Sequence, residues 1–404
     1  MIIRMRRLTC ADGERLVVLV GDDGVPLFYP TLFVTAHLRG GSLAVNTNIN
    51  ALTAIKSLYA WQEYFGIDIE ARFKKNLLLE AHEIHALRDF LQKPLRVSAA
   101  QKVVSIKQPK VVCNEVQYAR MSVIAIYLEF LAGKLQRATD LSSAAATAMA
   151  SQIRANRPQN AGWLETDRED KHLDDEMLDS LEMILKPGSE SNPVGSYPVQ
   201  VRNALLFSIL RTTGFRRGEA LNLKIEDIDF ASKVIKVVRR ADSKGDVRAI
   251  QPTAKTFGRP YPVLPELIQR IYEYVTEYRN KIPAARRHGY LFVVHKEGPN
   301  LGRPLSNSAF GKIFDQIKHA AAGHAGVHAH SLRHHWNYTF SKNSDERETS
   351  SAEEERSRSF LMGWMSTSGT AATYNGRRIK EKARVATLEI QAKHLKNMHK
   401  DNKE

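Results

Sequence analysis

The sequence is poor in the features that staple or anchor a protein. Its 404 residues hold two cysteines, Cys10 and Cys113, which excludes a disulfide scaffold and fits a reducing compartment. No apolar run approaches the roughly 20 residues that span a bilayer. The opening MIIRMRRLTC lacks a long apolar segment after its charges, unlike a secretory leader. The expectation is a cytoplasmic protein with no membrane partner. Acidic residues are also short: 44 Asp and Glu stand against 59 Lys and Arg, a net charge of +15 that calls for an anionic partner. At 43% hydrophobic, the chain is long enough to build two domains with cores of their own.

Residues 1–44 read as a small β-like arm. The apolar run Leu16–Val20, the turn chemistry of Gly21–Gly24 and the apolar, aromatic Pro26–Phe33 carry that reading. From Asn46 the period becomes helical, giving helices near 46–65, 80–91, 115–135 and 142–154 within a domain over 45–160. In the third of these, Tyr118, Met121, Ile124, Tyr127, Leu128 and Leu131 space as a buried stripe. Basic residues flank these helices: Lys56, Lys74, Lys75, Lys102, Lys107 and Lys110 are the candidates for phosphate contacts, against the plainer reading of solvated surface charge. A polar stretch poor in apolar residues follows, and 161–175 reads as a linker. The second domain spans 176–385, and 386–404 is a basic tail.

The second domain is organised around Thr212–Phe230, TTGFRRGEALNLKIEDIDF. The apolar run before it stops at Gly214, a residue that accepts the left-handed cap others avoid. Arg216 stands at the mouth of the turn, with Glu219 three residues on and placed to brace it. A braced guanidinium suits an anion. Strand-like segments follow at Val234–Val238, Val247–Ile250 and Tyr261–Leu264, with KTFGR (Lys255–Arg259) between the last two. Farther on comes HAHSLRHH, His328–His335. Here His330 and Arg333 share a face of a helix starting at Ser331, whose N-terminus suits a phosphate. The clustered histidines raise the question of a metal, yet no thiolate or nearby carboxylate completes a tetrahedral set and no standard zinc spacing occurs. Asp345–Arg358 is highly charged and reads as a solvent-facing loop or helix start, with Ser350 and Glu353, or Ser351 and Glu354, as candidate capping boxes. Finally LMGWMSTSGTAATY carries Trp364 and ends at Tyr374.

TGFRRGEALNL, HSLRH and LMGW followed nine residues later by Tyr, in this order, resemble the boxes of the tyrosine recombinase (phage integrase) family. The resemblance covers roughly residues 45 to 385. It implies a mostly α fold with a small antiparallel β-sheet, arranged as a two-domain C-shaped clamp: a helical core-binding domain and a mixed α/β catalytic domain of the DNA breaking-rejoining type. It implies Arg216, His330, Arg333, Trp364 and a lysine as catalytic residues, Tyr374 as nucleophile, and Glu219 and His334 in support. Trp364 stands where most relatives have His, which trades a titratable group for a neutral indole donor. For the lysine, Lys255 matches the family pattern best, with Lys-Thr and then Arg259 before Tyr-Pro-Val; Lys244 in SKGDVR is the rival. The implied partner is double-stranded DNA at specific sites, bound by a homo-oligomer, a tetrameric synapse, with accessory DNA-bending proteins. The protein would then be nucleoid-associated when on DNA. No metal and no other cofactor are implied. The same boxes leave open a type IB topoisomerase or a non-catalytic DNA-binding protein that kept the fold.

Overall fold

A computed structural model describes residues 2–38, 45–94, 111–136, 139–159, 173–254, 256–320, 326–365 and 383–392. The chain divides into two compact units, Met1–Trp163 and Leu164–Glu404. The described chain is mostly helical, with two small antiparallel sheets. No helix among the described residues is long and apolar enough to cross a membrane.

The first unit opens with a hairpin of β1 (Arg4–Thr9) and β2 (Arg15–Val20), in register from Arg4–Val20 to Thr9–Arg15. β2 is buried and β1 exposed, so the hairpin shares one face with the core beneath it. Pro26–Phe33 was expected to extend this arm as strand, and it does not. After Leu27 donates to the Leu19 carbonyl (2.8 Å), the chain turns into α1 (Phe28–Leu32), which continues π-helical over Phe33–Leu38. Pro30 explains the change: it has no N–H for a ladder but costs little in a first helical turn. The unit then stacks α2 (Val45–Phe65), α3 (Ile69–Lys74), α4 (Ala81–Phe90), α5 (Asn114–Leu135) and α6 (Asp140–Ala155). Their starts are written in side chains. Asp68 accepts from the Ala71 N–H (2.9 Å), Glu83 from the Glu80 N–H (2.8 Å) and Thr139 from the Ser142 N–H (3.1 Å).

The core of this unit is made by Leu52, Ile55, Leu58 and Trp61 of α2 against Met121, Ile124, Tyr127 and Leu128 of α5. Tyr118 is the exception to the expected stripe. It is 42% exposed, and the Arg157 guanidinium lies 4.3 Å from its ring centroid. Of the candidate phosphate contacts, Lys74 and Lys75 are exposed at the end of α3 and Lys56 is half-buried on α2. Lys102, Lys107 and Lys110 lie outside the described residues.

The second unit contains α7 (Asp175–Leu185), α8 (Tyr197–Thr213), α9 (Arg217–Asn222), and a three-stranded sheet of β3 (Ile228–Asp229), β4 (Val234–Val237) and β5 (Arg259–Pro262) in that order. β4 pairs directly with β5, Ile235 opposite Tyr261 and Val237 opposite Arg259. The expected strand at Val247–Ile250 is absent. Arg248 is the reason: its backbone N–H is taken by Asp246 (2.9 Å), and its buried guanidinium binds Asp246 and the carbonyls of Leu221 and Leu305. Arg248 is therefore held inward by its side chain, and its N–H is not available to a ladder. α10 (Pro265–Glu273) continues π-helical to Arg279, and α11 (Asn307–Ala320) is capped by Ser306, whose hydroxyl accepts from Ala309 (3.2 Å). α12 (Ala329–Glu346) and α13 (Ser351–Met362) complete the unit, and residues 383–392 are helical. The expected solvent-facing character of Asp345–Arg358 fails within α13. Ser350 does cap it, but Glu354 and Arg358 are fully buried as an ion pair that also holds the Ser341 hydroxyl.

Candidate active site

The site is built where α8 ends. Gly214 adopts φ 62°, and its N–H closes on the Leu210 carbonyl at 3.1 Å. A Cβ there would sit 2.9 Å from the Trp336 ring, so both the backbone sign and the space demand glycine. Phe215 is then driven into the core against Tyr261 (ring centroids 5.1 Å apart), which fixes the next residue, Arg216, at the start of α9.

Glu219 reaches back to accept the Arg216 N–H at 2.9 Å, and its carboxylate is wholly buried. It does not serve Arg216 alone, as the sequence suggested. Arg259 lies 3.3 Å from Oε1, Arg216 Nη1 3.8 Å from Oε1, and Arg333 Nη1 4.0 Å from Oε2, while the Thr256 hydroxyl donates to Oε1. Burial would raise this carboxyl; the charges of Arg259 and Arg333, the Thr256 hydroxyl and the Arg216 N–H outweigh it and hold it below the ordinary carboxylate range. One carboxylate thus anchors three guanidinium groups, leaving two positive charges in excess. The three differ in access. The side chains of Arg259 and Arg333 are 3% and 1% exposed, whereas that of Arg216 is 31% exposed and can meet a ligand from solvent.

Arg333 enters on α12, whose first turn is set by a reciprocal cap: His328 Nδ1 accepts from Ser331 N–H (2.9 Å) and the Ser331 hydroxyl accepts from His328 N–H (2.9 Å). The helix starts at Ala329, two residues before the expected Ser331. Arg333 Nη1 donates to the Gly214 carbonyl at 2.7 Å, and its guanidinium lies 5.3 Å from the Trp364 ring centroid. Trp336, one turn on, donates from Nε1 to the Thr212 carbonyl (3.0 Å) and so seats α12 on the end of α8. His330 is exposed and His334 half-buried, their Nε2 atoms 3.0 Å apart. His335 is buried, with Nδ1 2.9 Å from the Leu173 carbonyl oxygen and Nε2 3.1 Å from Asp175 Oδ1.

Trp364 is 9% exposed and packs beside Met362, Leu361 and Trp336. Tyr374 and Lys255 lie outside the described residues. The neighbours of Lys255 do not: Ala254 and Thr256 are buried, and the Thr253 carbonyl lies 2.4 Å from where a Cβ on Gly218 would stand. The Lys255 flanks therefore abut α9 and the arginine cluster. Lys244 is exposed in a turn. Arg259 and Thr256 are the members of the cluster that the sequence reading did not assign a place. The available signal was the alternation of β5, in which Arg259 falls on the same inward side as Tyr261.

Among the described residues, the three metal-ligating side chains that converge are Cys10, Asp12 and Glu14 in the β1–β2 turn, with ligand atoms within 4.8 Å of one another. They belong to the first unit, not to the arginine cluster.

The phage integrase family matches residues 189–349, a span that holds Arg216, Glu219, Arg259, His330 and Arg333. Tyrosine recombinase XerD of Mycobacterium leprae is 31% identical over 164 residues, 40% of this chain and 44% of that protein. Tyrosine recombinase XerC of Staphylococcus carnosus is 30% identical over 135 residues, 33% of this chain and 38% of that protein. XerD of Halalkalibacterium halodurans is 26% identical over 144 residues, covering 36% and 42%. The chain thus spans less than half the length of these curated relatives. Among solved structures, XerH recombinase in its post-cleavage complex with a palindromic difH substrate aligns with TM-score 0.41 at 19% identity, over 66% of this chain and 72% of that one. XerA recombinase aligns with TM-score 0.37 at 17% identity, over 88% and 98%. Residues 189–349 are thus similar to the phage integrase family, and the curated relatives that the chain matches are tyrosine recombinases.

Proposed function

We propose that this protein is a site-specific DNA recombinase that cuts and rejoins strands through a 3′-phosphotyrosyl intermediate. The observation that carries the reading is the buried Glu219 carboxylate with Arg216, Arg259 and Arg333 around it, the two motif arginines sharing one anchor. Such a cluster is preorganised, so its charge is present before the transition state forms and costs no reorganisation. In the first step the Tyr374 phenol oxygen bonds to a DNA phosphorus, the bond from phosphorus to the 5′-oxygen breaks, and the phenolic proton passes to His330. Arg216 and Arg333 meet the charge growing on the non-bridging oxygens, and the Trp364 indole donates to one of them. Lys255 gives its proton to the leaving 5′-oxygen. His334 orients His330 through the contact between their Nε2 atoms. A 5′-hydroxyl of the partner strand later attacks the phosphotyrosyl bond and releases Tyr374.

The covalent link conserves the phosphodiester, so no nucleotide is needed, and guanidinium groups supply the charge that a metal supplies elsewhere. The first unit, with Lys56, Lys74, Lys75, Lys102, Lys107 and Lys110, holds the duplex. A homo-oligomer, a tetramer in synapsis, pairs two sites, and DNA-bending proteins assist. Recombination between two plasmids carrying the DNA that flanks the gene tests this reading. Recombinant product supports it. Relaxation of any supercoiled plasmid by monomeric enzyme points to a topoisomerase instead, and binding without strand cleavage points to a DNA-binding protein.

A further inference from the structure

We infer that Arg259 is a positioning residue that ties the segment after Lys255 to the turn before Trp364. Its guanidinium does more than neutralise Glu219. Nε donates to the Leu361 carbonyl at 2.5 Å, on the last turn of α13, while Nη1 reaches the Phe257 carbonyl (3.4 Å) and the Thr256 hydroxyl (3.2 Å). The two remaining acceptors are the Glu219 oxygens, at 3.3 and 3.4 Å. One planar fork therefore spans three separate stretches of chain: α9, the segment entering β5, and the end of α13. A lysine ammonium has the charge but not the reach or the geometry to do this.

The backbone makes the same junction. Phe257 N–H donates to the Gly363 carbonyl at 3.1 Å. Gly363 has φ +63°, and a Cβ on it would lie 2.7 Å from Arg259 Nη1, 2.9 Å from the Phe257 carbonyl oxygen and 3.0 Å from Thr256 Cβ. The α13 cap thus packs directly against Thr256, Phe257 and Arg259, with no room for a side chain at position 363. Because Trp364 follows Gly363 and Thr256 follows Lys255, a shift on one side of the junction is carried to the other. The inference rests on the proposed role of Lys255 as the acid that protonates the 5′-oxygen.

That role supplies the test. A duplex whose 5′-bridging oxygen is replaced by sulfur leaves as a thiolate and needs no proton. Arg259→Lys and Gly363→Ala, each checked for an unchanged circular dichroism spectrum and cooperative melting, are compared with Lys255→Ala on the oxygen and sulfur duplexes. Loss of a general acid slows cleavage by roughly 10²–10⁴-fold. The expected result is that Arg259→Lys or Gly363→Ala, whichever folds, loses at least about 10²-fold on oxygen and returns to within about 10-fold of wild type on sulfur, as Lys255→Ala does. If Lys255→Ala is rescued by sulfur and the junction variants are equally slow on both duplexes, Arg259 does not act through Lys255 and the inference is overturned. If Lys255→Ala itself is not rescued, the assignment of the acid falls, and the inference with it. Wild-type rates for a folded Arg259→Lys on the oxygen duplex would also overturn it.

Discussion

Arg333 Nη1 donates to the carbonyl of Gly214 at 2.7 Å, so a side chain of the His-x-x-Arg box closes on the backbone of the first arginine box. The two motifs lie far apart in sequence, and this contact is one of the bonds that make them a single site. It also explains why the turn at Gly214 matters beyond ending a helix: the carbonyl must point at Arg333 while the next residues carry Phe215 inward and Arg216 outward.

Gly214→Ala tests that turn. A left-handed backbone costs an L-residue about 1–2 kcal/mol, and the added methyl also collides with Trp336. The expected outcome is a loss of more than about 1 kcal/mol in urea unfolding of the second unit, with cleavage impaired in the fraction that remains folded. A variant as stable as wild type would contradict the geometry.

Glu219→Gln tests the anchor. Its folded-state carboxyl lies below the ordinary range, so the carboxylate contributes stability that is present above the unfolded value and lost as pH falls through the folded one. The stability gap between wild type and Glu219→Gln should therefore hold from neutral pH down to about 4, near the ordinary value of a glutamate side chain, and close only below it. Breaking a buried pair from one side costs about 3–5 kcal/mol. A gap that closes between pH 7 and 5 would mean that Glu219 is not the shared counter-ion.

Much of this site was legible because its motifs are local. TGFRRGE and HSLRH each place a glycine or helix start beside the residue that matters, and short-range rules read such patterns well. What escaped was long-range. Arg259 joins Glu219 only when β5 pairs with β4, and nothing near it in sequence announces that partner. Val247–Ile250 had the composition of a strand, but the buried Arg248 side chain overrode it. Pro26–Phe33 had strand composition too, and Pro30 decided against it. The Glu354–Arg358 pair read as surface charge because burial of a charged group depends on a partner supplied by the fold.

Arg216→Ala and Arg333→Ala should each lower the single-turnover cleavage rate by about 10²–10³-fold, the loss expected when one preorganised charge donor is removed. Affinity measured by gel shift at fixed salt should change far less, since the proposed function assigns phosphate contacts to many other cations. Equal losses in binding and cleavage would remove both from the reacting centre.

The Glu354–Arg358 pair gives a stability prediction. Arg358→Met leaves Glu354 and the Ser341 hydroxyl buried around a missing charge, at a cost of about 3–5 kcal/mol. Adding Glu354→Met should recover most of it, read as a return of the melting temperature. Failure of the second substitution to recover any stability would show that the pair does more than neutralise itself.

The most direct measurement is of the covalent bond. On a nicked duplex carrying the recombination site, the fragment 3′ to the cleaved bond diffuses away and the protein–DNA adduct accumulates. Wild type should give an SDS-resistant adduct whose peptide, after nuclease and protease digestion, carries the nucleotide on Tyr374. Tyr374→Phe should bind the same duplex with unchanged affinity and form no adduct, because only the nucleophilic oxygen has been removed. An adduct at the wild-type level from Tyr374→Phe, or a nucleotide found on another residue, would contradict the proposed chemistry.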